Sequence, residues 1–148
     1  MTLDECTRET VNAKATDHLD LYASFGYTDS RIDQMEDPKV VGKQAPLVSR
    51  ATVNAGVQVH QPVGNGLNAV ARVDYQQIGR TWWEPYNVTS RDPVNLVDLR
   101  AGVDAGKWSL MAWLKNLSNT KYNTEFSPGG FLWKALPRLY GVDLTYRF

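Results

Sequence analysis

The sequence has few of the features that mark disulfide-rich, nucleic-acid-binding or helical membrane proteins. It contains one cysteine, Cys6, so an internal disulfide framework is excluded. Its 16 basic and 16 acidic side chains cancel, whereas a nucleic-acid partner would require a basic excess. No run of about 18 apolar residues occurs, so no segment can form a transmembrane helix. Residues 1–20 also lack the order of charged, apolar and small residues that marks an export signal.

Motifs for catalysis and for cofactors are missing as well. His18 and His60 have no cysteine, glutamate or further histidine at ligand spacing, so we do not expect a metal site. The sequence has no G-x-S-x-G nucleophile motif and no glycine-rich phosphate loop. We therefore expect a protein that is not an enzyme and that needs no cofactor.

The dominant pattern is an alternation of apolar and polar residues, which predicts strands with two different surroundings. Near the end of the chain, Tyr140, Val142 and Leu144 alternate with Gly141 and Asp143. The predicted strands are residues 19–28, 51–60, 67–76, 97–104, 108–115 and 138–148, with a weaker one around 7–14. Residues 1–10 otherwise fit no pattern, and we expect them to be unplaced or disordered.

The connections between these segments alternate in length. Residues 62–66 and 105–107 are short turns, whereas 33–48, 82–95 and 116–137 are long loops rich in turn-forming residues. Short turns on one rim and long loops on the other are typical of outer-membrane barrels, whose strands of about ten residues cross the bilayer at a tilt. The pattern therefore predicts that all three long loops lie on the external rim.

Charged residues of the strands fall on one side of the alternation. A lysine or arginine that faces lipid near the midplane costs roughly 2–4 kcal/mol, so we expect the charged side to face a wet interior. Pairs such as Asp98 with Arg72, or Asp143 with Arg100, are compatible with this arrangement. The predicted inward-facing charges are Asp20, Arg50, Arg72, Asp74, Arg80, Asp98, Arg100, Asp104, Lys115, Asp143 and Arg147.

Two other architectures show the same alternation. A soluble β-sandwich or calyx that binds an apolar ligand would place the apolar side inside, and a small outer-membrane β-barrel would complete itself by self-association. The alternating loop lengths, and the aromatic residues near strand ends that include Phe148, favour a membrane-spanning sheet. Seven strands do not close a barrel, because such barrels have an even number of about eight strands or more. We therefore predict an all-β fold, namely an antiparallel up-and-down transmembrane β-barrel segment of about seven strands of a larger barrel.

Four segments resemble those of TonB-dependent outer-membrane receptors. The run Lys115–Tyr122 is similar to the family's K-N-L-F-D-K-K-Y motif, although Ser118 and Asn119 stand where Phe and Asp are usual. The end of the chain, Pro137–Phe148, resembles the terminal P-R-x-Y-G-V-x-L-x-Y-R-F motif. Residues 20–30 and 45–50 resemble the family's L-x-L-Y-x-S-x-G-Y-x-D-S strand and the A-P-x-x-S opening of the next strand.

The resemblance implies that residues 1–148 are the C-terminal portion of a TonB-dependent receptor β-barrel. The family fold is a plugged barrel of about 22 strands, and we expect no plug domain within this chain. The implied location is the outer membrane of a Gram-negative bacterium, and the implied ligand is a ferric siderophore or a similar small molecule. The implied partners are outer-membrane lipid, the barrel-assembly machinery and, only through the plug, TonB. We expect the chain alone to be inactive in transport.

Two groups of aromatic residues are candidate sites. Trp82, Trp83 and Tyr86, with Phe131 and Trp133 of the last long loop, are expected to contact a ligand at the external loops, or else to pack those loops. Nearby cations would attract an anionic ferric chelate; these are Arg80, Arg91 and Lys134. The resemblance further implies that the terminal strand is read by the assembly machinery and anchors the barrel in lipid, with Tyr140, Tyr146 and Phe148 as its aromatic residues.

Overall fold

The computed structural model describes residues 2–127 and 129–148. Within these ranges the chain forms strands and one short 3-10 helix, Pro38–Val40. The strands are β1 (Thr2–Thr16), β2 (Leu19–Arg31), β3 (Ala51–Gly64), β4 (Leu67–Ile78), β5 (Thr81–Trp82), β6 (Ser90–Arg91), β7 (Val94–Asp104), β8 (Trp108–Lys115), β9 (Asn123–Ser127), β10 (Phe131–Lys134) and β11 (Leu139–Tyr146). In the described part of the chain, no helix is both long and apolar enough to span a bilayer.

Seven strands form one antiparallel sheet in the order β1-β2-β3-β4-β7-β8-β11. Each of these strands pairs with the next one along the chain, once the small hairpins β5–β6 and β9–β10 are set aside. Strands β1 and β11 are the two edges of the sheet. The predicted all-β, up-and-down architecture with seven antiparallel strands is confirmed.

The connections of this sheet differ between its two rims. On one rim, Asn65 and Gly66 join β3 to β4 with φ values of 53° and 73°, the left-handed pair that a tight hairpin turn requires. Similarly short turns join β1 to β2 and β7 to β8. On the opposite rim lie loop 1 (residues 32–50), loop 2 (residues 79–93) and loop 3 (residues 116–138). The predicted grouping of the long loops on one rim is confirmed.

The strand register places all apolar alternating residues on one side of the sheet. One continuous row crosses all seven strands and contains no charge. It consists of Ala13, Leu21, Val57, Val73, Leu99, Leu114 and Tyr140. The adjacent row on the other side is Lys14, Asp20, Gln58, Arg72, Arg100, Trp113 and Gly141.

The apolar side of the sheet is not covered by another layer of the described chain. Leu21, Val57 and Val73 are 38%, 41% and 44% exposed in the middle of their strands. Buried apolar side chains instead lie in or beside the long loops; they are Ile32, Val40, Ala45, Trp83 and Val94. A soluble β-sandwich or calyx would bury the apolar rows between layers, so the observed burial is the reverse of that alternative.

The structure corrects the expectation for residues 1–10. Residues 2–10 belong to β1, which pairs with β2 from Thr2 to Thr16. The alternation is weak in β1 because the polar residues Thr7 and Glu9 lie on the apolar side of the sheet. They stand opposite Tyr27 and Phe25 of β2. Backbone pairing with β2 holds β1 in the sheet without requiring apolar side chains.

The long loops also contain regular structure that alternation did not reveal. Loop 2 contains the hairpin β5–β6, and loop 3 contains the hairpin β9–β10. Loop 1 contains the 3-10 helix, which begins after the N-cap Asp37. Strands of two to five residues are too short to produce a recognisable period of two, which explains why these hairpins were missed.

The charged side of the sheet is held by side-chain pairs within and between strands. Arg100 Nη2 lies 3.8 Å from Asp143 Oδ2, as the sequence suggested. Arg72 does not pair with Asp98; it donates two bonds of 2.8 Å to Asp74, two residues along the same strand. Asp98 instead accepts a bond of 2.8 Å from the backbone N–H of Asn116.

Candidate functional site

Loops 1 and 2 are joined by the side chain of Asn87. Its Nδ2 donates to the carbonyl of Gln44 at 2.9 Å, and its Oδ1 accepts the N–H of Gln44 at 2.9 Å. Asn87 has a φ of 53°, a left-handed conformation that asparagine tolerates better than most residues. The side chain thus pairs with loop 1 as a neighbouring strand would.

The carboxylate of Glu84 organises the tip of loop 2. It accepts the backbone N–H groups of Tyr86 at 2.7 Å, Val88 at 2.5 Å and Thr89 at 3.0 Å. Burial acts to raise the pKa of Glu84, but the three N–H donors outweigh it and lower the pKa below its ordinary value. The loop tip is therefore held by an ionised side chain.

Tyr86 connects the same tip to loop 1. Its hydroxyl donates a bond of 2.8 Å to Asp37, which also accepts the N–H of Lys39 at 2.9 Å. The N–H of Lys39, followed by the Tyr86 hydroxyl, lowers the pKa of Asp37, and the same contact with Asp37 raises the pKa of Tyr86. Lys43 lies 5.9 Å from the centre of the Tyr86 ring.

Loop 3 is organised by two asparagines at its base. Asn116 is buried with a φ of 53°, and its side chain bonds Thr120 N–H at 2.8 Å and the carbonyls of Thr120 and Leu136. Asn119 also has positive φ, and its Oδ1 accepts the N–H of Arg138 at 3.0 Å. The Lys115–Tyr122 motif therefore closes the base of loop 3.

Loop 2 meets loop 3 at Arg91. The Arg91 guanidinium lies 5.6 Å from the centre of the Tyr122 ring and donates a bond of 3.1 Å to the Thr81 hydroxyl. Beside it is an open pocket of about 370 Å³, whose lining comes from all three loops. The three long loops thus form one contiguous surface.

The predicted aromatic site residues occupy two parts of this surface. Trp82 and Tyr86 are accessible on loop 2, but Trp83 is only 8% exposed and belongs to the small core of the loops. Phe131 and Trp133 are exposed on β10 of loop 3, with ring centres 6.1 Å apart. No contact between the two aromatic groups occurs among the described residues.

The aromatic residues of the terminal segment lie on the apolar side of the sheet. Tyr140 is 81% exposed at the long-loop end of β11, and Tyr146 pairs with Trp108 near the short-turn rim. Tyr146 and Phe148 pack edge to face, with ring centres 5.3 Å apart. Six residues of extended strand separate Tyr140 from Tyr146 by about 20 Å, close to the height of the apolar band of a membrane barrel.

Comparison with known proteins agrees with this geometry. The family model described as TonB dependent receptor-like, beta-barrel matches residues 10–117. The chain belongs to this family. The match covers strands β2 to β8 completely, and so includes loops 1 and 2 of the receptor barrel.

Solved receptors share the fold of this TonB-dependent receptor barrel. The ferric yersiniabactin uptake receptor of Yersinia pestis has a TM-score of 0.79 at 13% identity, with 94% of this chain and 23% of that chain covered. The ferric preacinetobactin receptor of Acinetobacter baumannii has a TM-score of 0.76 at 16% identity, with 95% and 22% covered. A siderophore receptor of the same species has a TM-score of 0.67 at 18% identity, with 94% and 21% covered. The receptor barrel described here therefore spans about a fifth of the length of these proteins.

Sequence reasoning missed several residues that build the loop surface. Glu84 and Asn87 follow the Trp82-Trp83 pair. The composition of this segment predicted a loop, but it did not predict which residues Glu84 and Asn87 would contact. Asn87 acts on a residue 43 positions away, so no local pattern could identify its role. A local signal did exist for Glu84, because a carboxylate two to five residues before free N–H groups can close a turn.

Proposed function

We propose that this chain forms the C-terminal part of the barrel of an outer-membrane TonB-dependent receptor that takes up a ferric siderophore or a similar chelate. The observation that carries the proposal is the two-sided sheet of a family member, with uncovered apolar rows on one side and all long loops on one rim. The matched receptors for ferric preacinetobactin and ferric yersiniabactin support an iron chelate as the ligand class.

The two sides of the sheet define the partners in this proposal. Outer-membrane lipid covers the apolar rows, because hydrocarbon tolerates Leu21 and Val73 but not an ion. The charged side lines the barrel interior and faces a plug domain, through which TonB supplies energy. The 148 residues contribute barrel wall and loops, and transport in this proposal requires the rest of the receptor.

The ligand meets the loop surface at its exposed aromatic side chains. The exposed Tyr86, Phe131 and Trp133 and the partly exposed Trp82 offer adaptable apolar area, whereas Trp83 is buried in the loop core. Replacement of Trp82, Phe131 and Trp133 by alanine should weaken ligand binding at least about tenfold, which is about 1.4 kcal/mol. Phe25→Ala on the apolar side is the matched control and should leave binding unchanged.

Growth on iron chelates tests the proposal directly. The protein is expressed from its full reading frame in an iron-starved Gram-negative strain that lacks its own siderophore receptors, and separately as residues 1–148. We expect the full protein to restore growth on at least one ferric siderophore and the 148-residue chain to restore none. Outer-membrane insertion without growth or binding on any chelate would contradict the uptake function.

Assembly tests the role of the terminal aromatic residues. Because Phe148 and Tyr146 pack together at the short-turn rim, deletion of Phe148 should reduce the amount of heat-modifiable barrel in the outer membrane several-fold. Phe148→Tyr keeps an aromatic ring and should assemble normally. Normal assembly of the deletion would remove the proposed signal.

A further inference from the structure

Arg91 differs from the other partly buried arginines of the chain. In the described part of the chain, the other partly buried arginines are Arg31, which pairs with Asp29 at 3.0 Å, and Arg72, which pairs with Asp74 at 2.8 Å. The exposed Arg50, Arg100 and Arg147 also have a carboxylate within 4 Å. Within the described residues, no carboxylate lies that close to Arg91. Its only hydrogen bond there goes to the neutral hydroxyl of Thr81.

The surroundings of Arg91 desolvate its charge. The side chain is half-buried, its plane lies near the Tyr122 ring, and burial lowers the pKa of the guanidinium. Its Nε is fully shielded and has no acceptor among the residues that the structure describes. A desolvated cation without a counter-charge is costly, and proteins commonly offset that cost with an anion.

The fold brings Arg91 to the place where the three loops meet. Thr81 lies between Ser49 and Arg91. It forms an isolated antiparallel bridge with Ser49 of loop 1 and pairs with Arg91 in the hairpin β5–β6. The pocket beside Arg91 is lined by Ser49 and Thr81 from one side and by Thr124 and Glu125 of β9 from the other. Its volume of about 370 Å³ accommodates a carboxylate together with the atoms that carry it.

We propose that Arg91 and this pocket form an oxyanion subsite, which binds a carboxylate or another negatively charged oxygen group of the transported ligand. The unused N–H groups of the guanidinium donate to the anion, and the Tyr122 ring keeps the guanidinium plane in place. Glu125 is exposed on the pocket wall and opposes the anion by like-charge repulsion. This inference rests on the proposed function, since it assigns a ligand class to the same loop surface.

Arg50 provides a control for Arg91. It lies at the end of loop 1, is exposed, and pairs with Asp29 at 3.1 Å. Arg50→Gln removes the same charge as Arg91→Gln from the same rim of the sheet, but Arg50 does not line the pocket. Arg91→Lys keeps the positive charge but removes the planar guanidinium group. It also tests whether weak binding by Arg91→Gln results from misfolding rather than from loss of the binding group.

The experiment uses the protein expressed from its full reading frame and three probes: ferric citrate, iron-free citrate and inorganic phosphate, with neutral ferrichrome for comparison. Binding is measured by tryptophan fluorescence and by calorimetry. We expect Arg91→Gln to weaken binding of the anionic probes at least about tenfold and Arg91→Lys to weaken it less. Arg50→Gln should change binding of the anionic probes less than about threefold, and Glu125→Gln should strengthen it.

The outcomes separate the subsite from the uptake function. If iron-free citrate or phosphate binds in an Arg91-dependent manner but no ferric chelate binds, the subsite stands and the uptake function fails. If ferric citrate binds equally to the wild type and to Arg91→Gln, the uptake function stands and the subsite is wrong. The subsite is also wrong if none of the anionic probes binds at a concentration of about 10 mM. At that concentration, a binding free energy of about 3 kcal/mol would already be detected.

Discussion

At the scale of single residues, asparagine side chains at left-handed backbone positions do much of the work of holding the loops. Asn116 combines a φ of 53° with five hydrogen bonds. Its backbone N–H donates to Asp98, its backbone carbonyl accepts from Asn119, and its side-chain amide makes three bonds to Thr120 and Leu136. Asn116→Ala should therefore lower the free energy of unfolding by about 2–4 kcal/mol. Asn116→Gly allows the left-handed backbone conformation but lacks the side-chain amide bonds. It should therefore lower the free energy of unfolding less than Asn116→Ala does.

Urea unfolding of the detergent-solubilised protein measures this difference. If the alanine and glycine variants are equally destabilised, the backbone conformation of Asn116 contributes nothing and the amide contacts account for the whole effect. If neither is destabilised, the Lys115–Tyr122 motif does not close loop 3.

Glu84 makes the tip of loop 2 sensitive to acid. Its pKa is depressed in the folded loop, so its stabilisation is present above the pKa of an unfolded glutamate, about 4.3, and is lost as the pH falls through the lower folded value. Hydrogen-exchange protection of the Val88 and Thr89 amides should fall over that range. Glu84→Gln should abolish the pH dependence, whereas Glu36→Gln on loop 1 should keep it.

At the scale of strands, glycines admit large side chains to the charged side of the sheet. Tyr22 of β2 crosses β3 at Gly56 and donates to Asp74 of β4. A Cβ at Gly56 would overlap the Tyr22 ring, so the ring must leave if Gly56 becomes alanine. Trp113 covers Gly141 of β11 in the same way and donates to Asp143 at 3.3 Å.

Gly56→Ala should consequently break the link between β2 and β4 and destabilise the sheet by about 1–3 kcal/mol. Gly26→Ala is the matched control, because nothing lies within 4 Å of its added Cβ on the same side of the sheet. Tyr22→Phe should show the loss of the hydroxyl alone. Equal unfolding free energies for the two alanine variants would contradict the role assigned to Gly56.

At the scale of the whole molecule, the two sides of the sheet differ in chemistry, and the proposed membrane location predicts that they face different solvents. Ala112 and Met111 are neighbours on β8, yet Ala112 lies between Ala101 and Val142 on the apolar side, and Met111 lies opposite Asp143 on the charged side. Ala112→Lys should cost about 2–4 kcal/mol in a bilayer, whereas Met111→Lys should cost much less.

Folding free energies in lipid vesicles compare these two variants. A soluble sandwich would show the same order in water, because lysine at position 112 would then replace a core residue. The membrane assignment therefore also requires that the wild-type sheet fold in vesicles or detergent and not in water alone. A difference of less than about 1 kcal/mol in vesicles would show that the apolar side does not face hydrocarbon.

The sequence by itself determined the strands of the sheet from the second onward, the side of each that is apolar and the rim on which each loop lies. These properties follow from local spacing, because a period of two assigns faces and a short turn forces neighbours to be antiparallel. The turn-forming composition after Lys115 likewise indicated where the third long loop begins. The Lys115–Tyr122 motif was informative in a different way. Its sequence resemblance pointed to the same family as the match over residues 10–117.

Only the tertiary structure decided which distant residues meet. It placed residues 2–10 in β1, paired Arg72 with Asp74 rather than Asp98, and joined Asn87 to Gln44 across 43 positions. It also left Arg91, within the part of the chain that the structure describes, without a carboxylate at ion-pair distance where three loops converge. Such contacts depend on strand register and on the path of loops without periodicity, and local alternation carries no information about either.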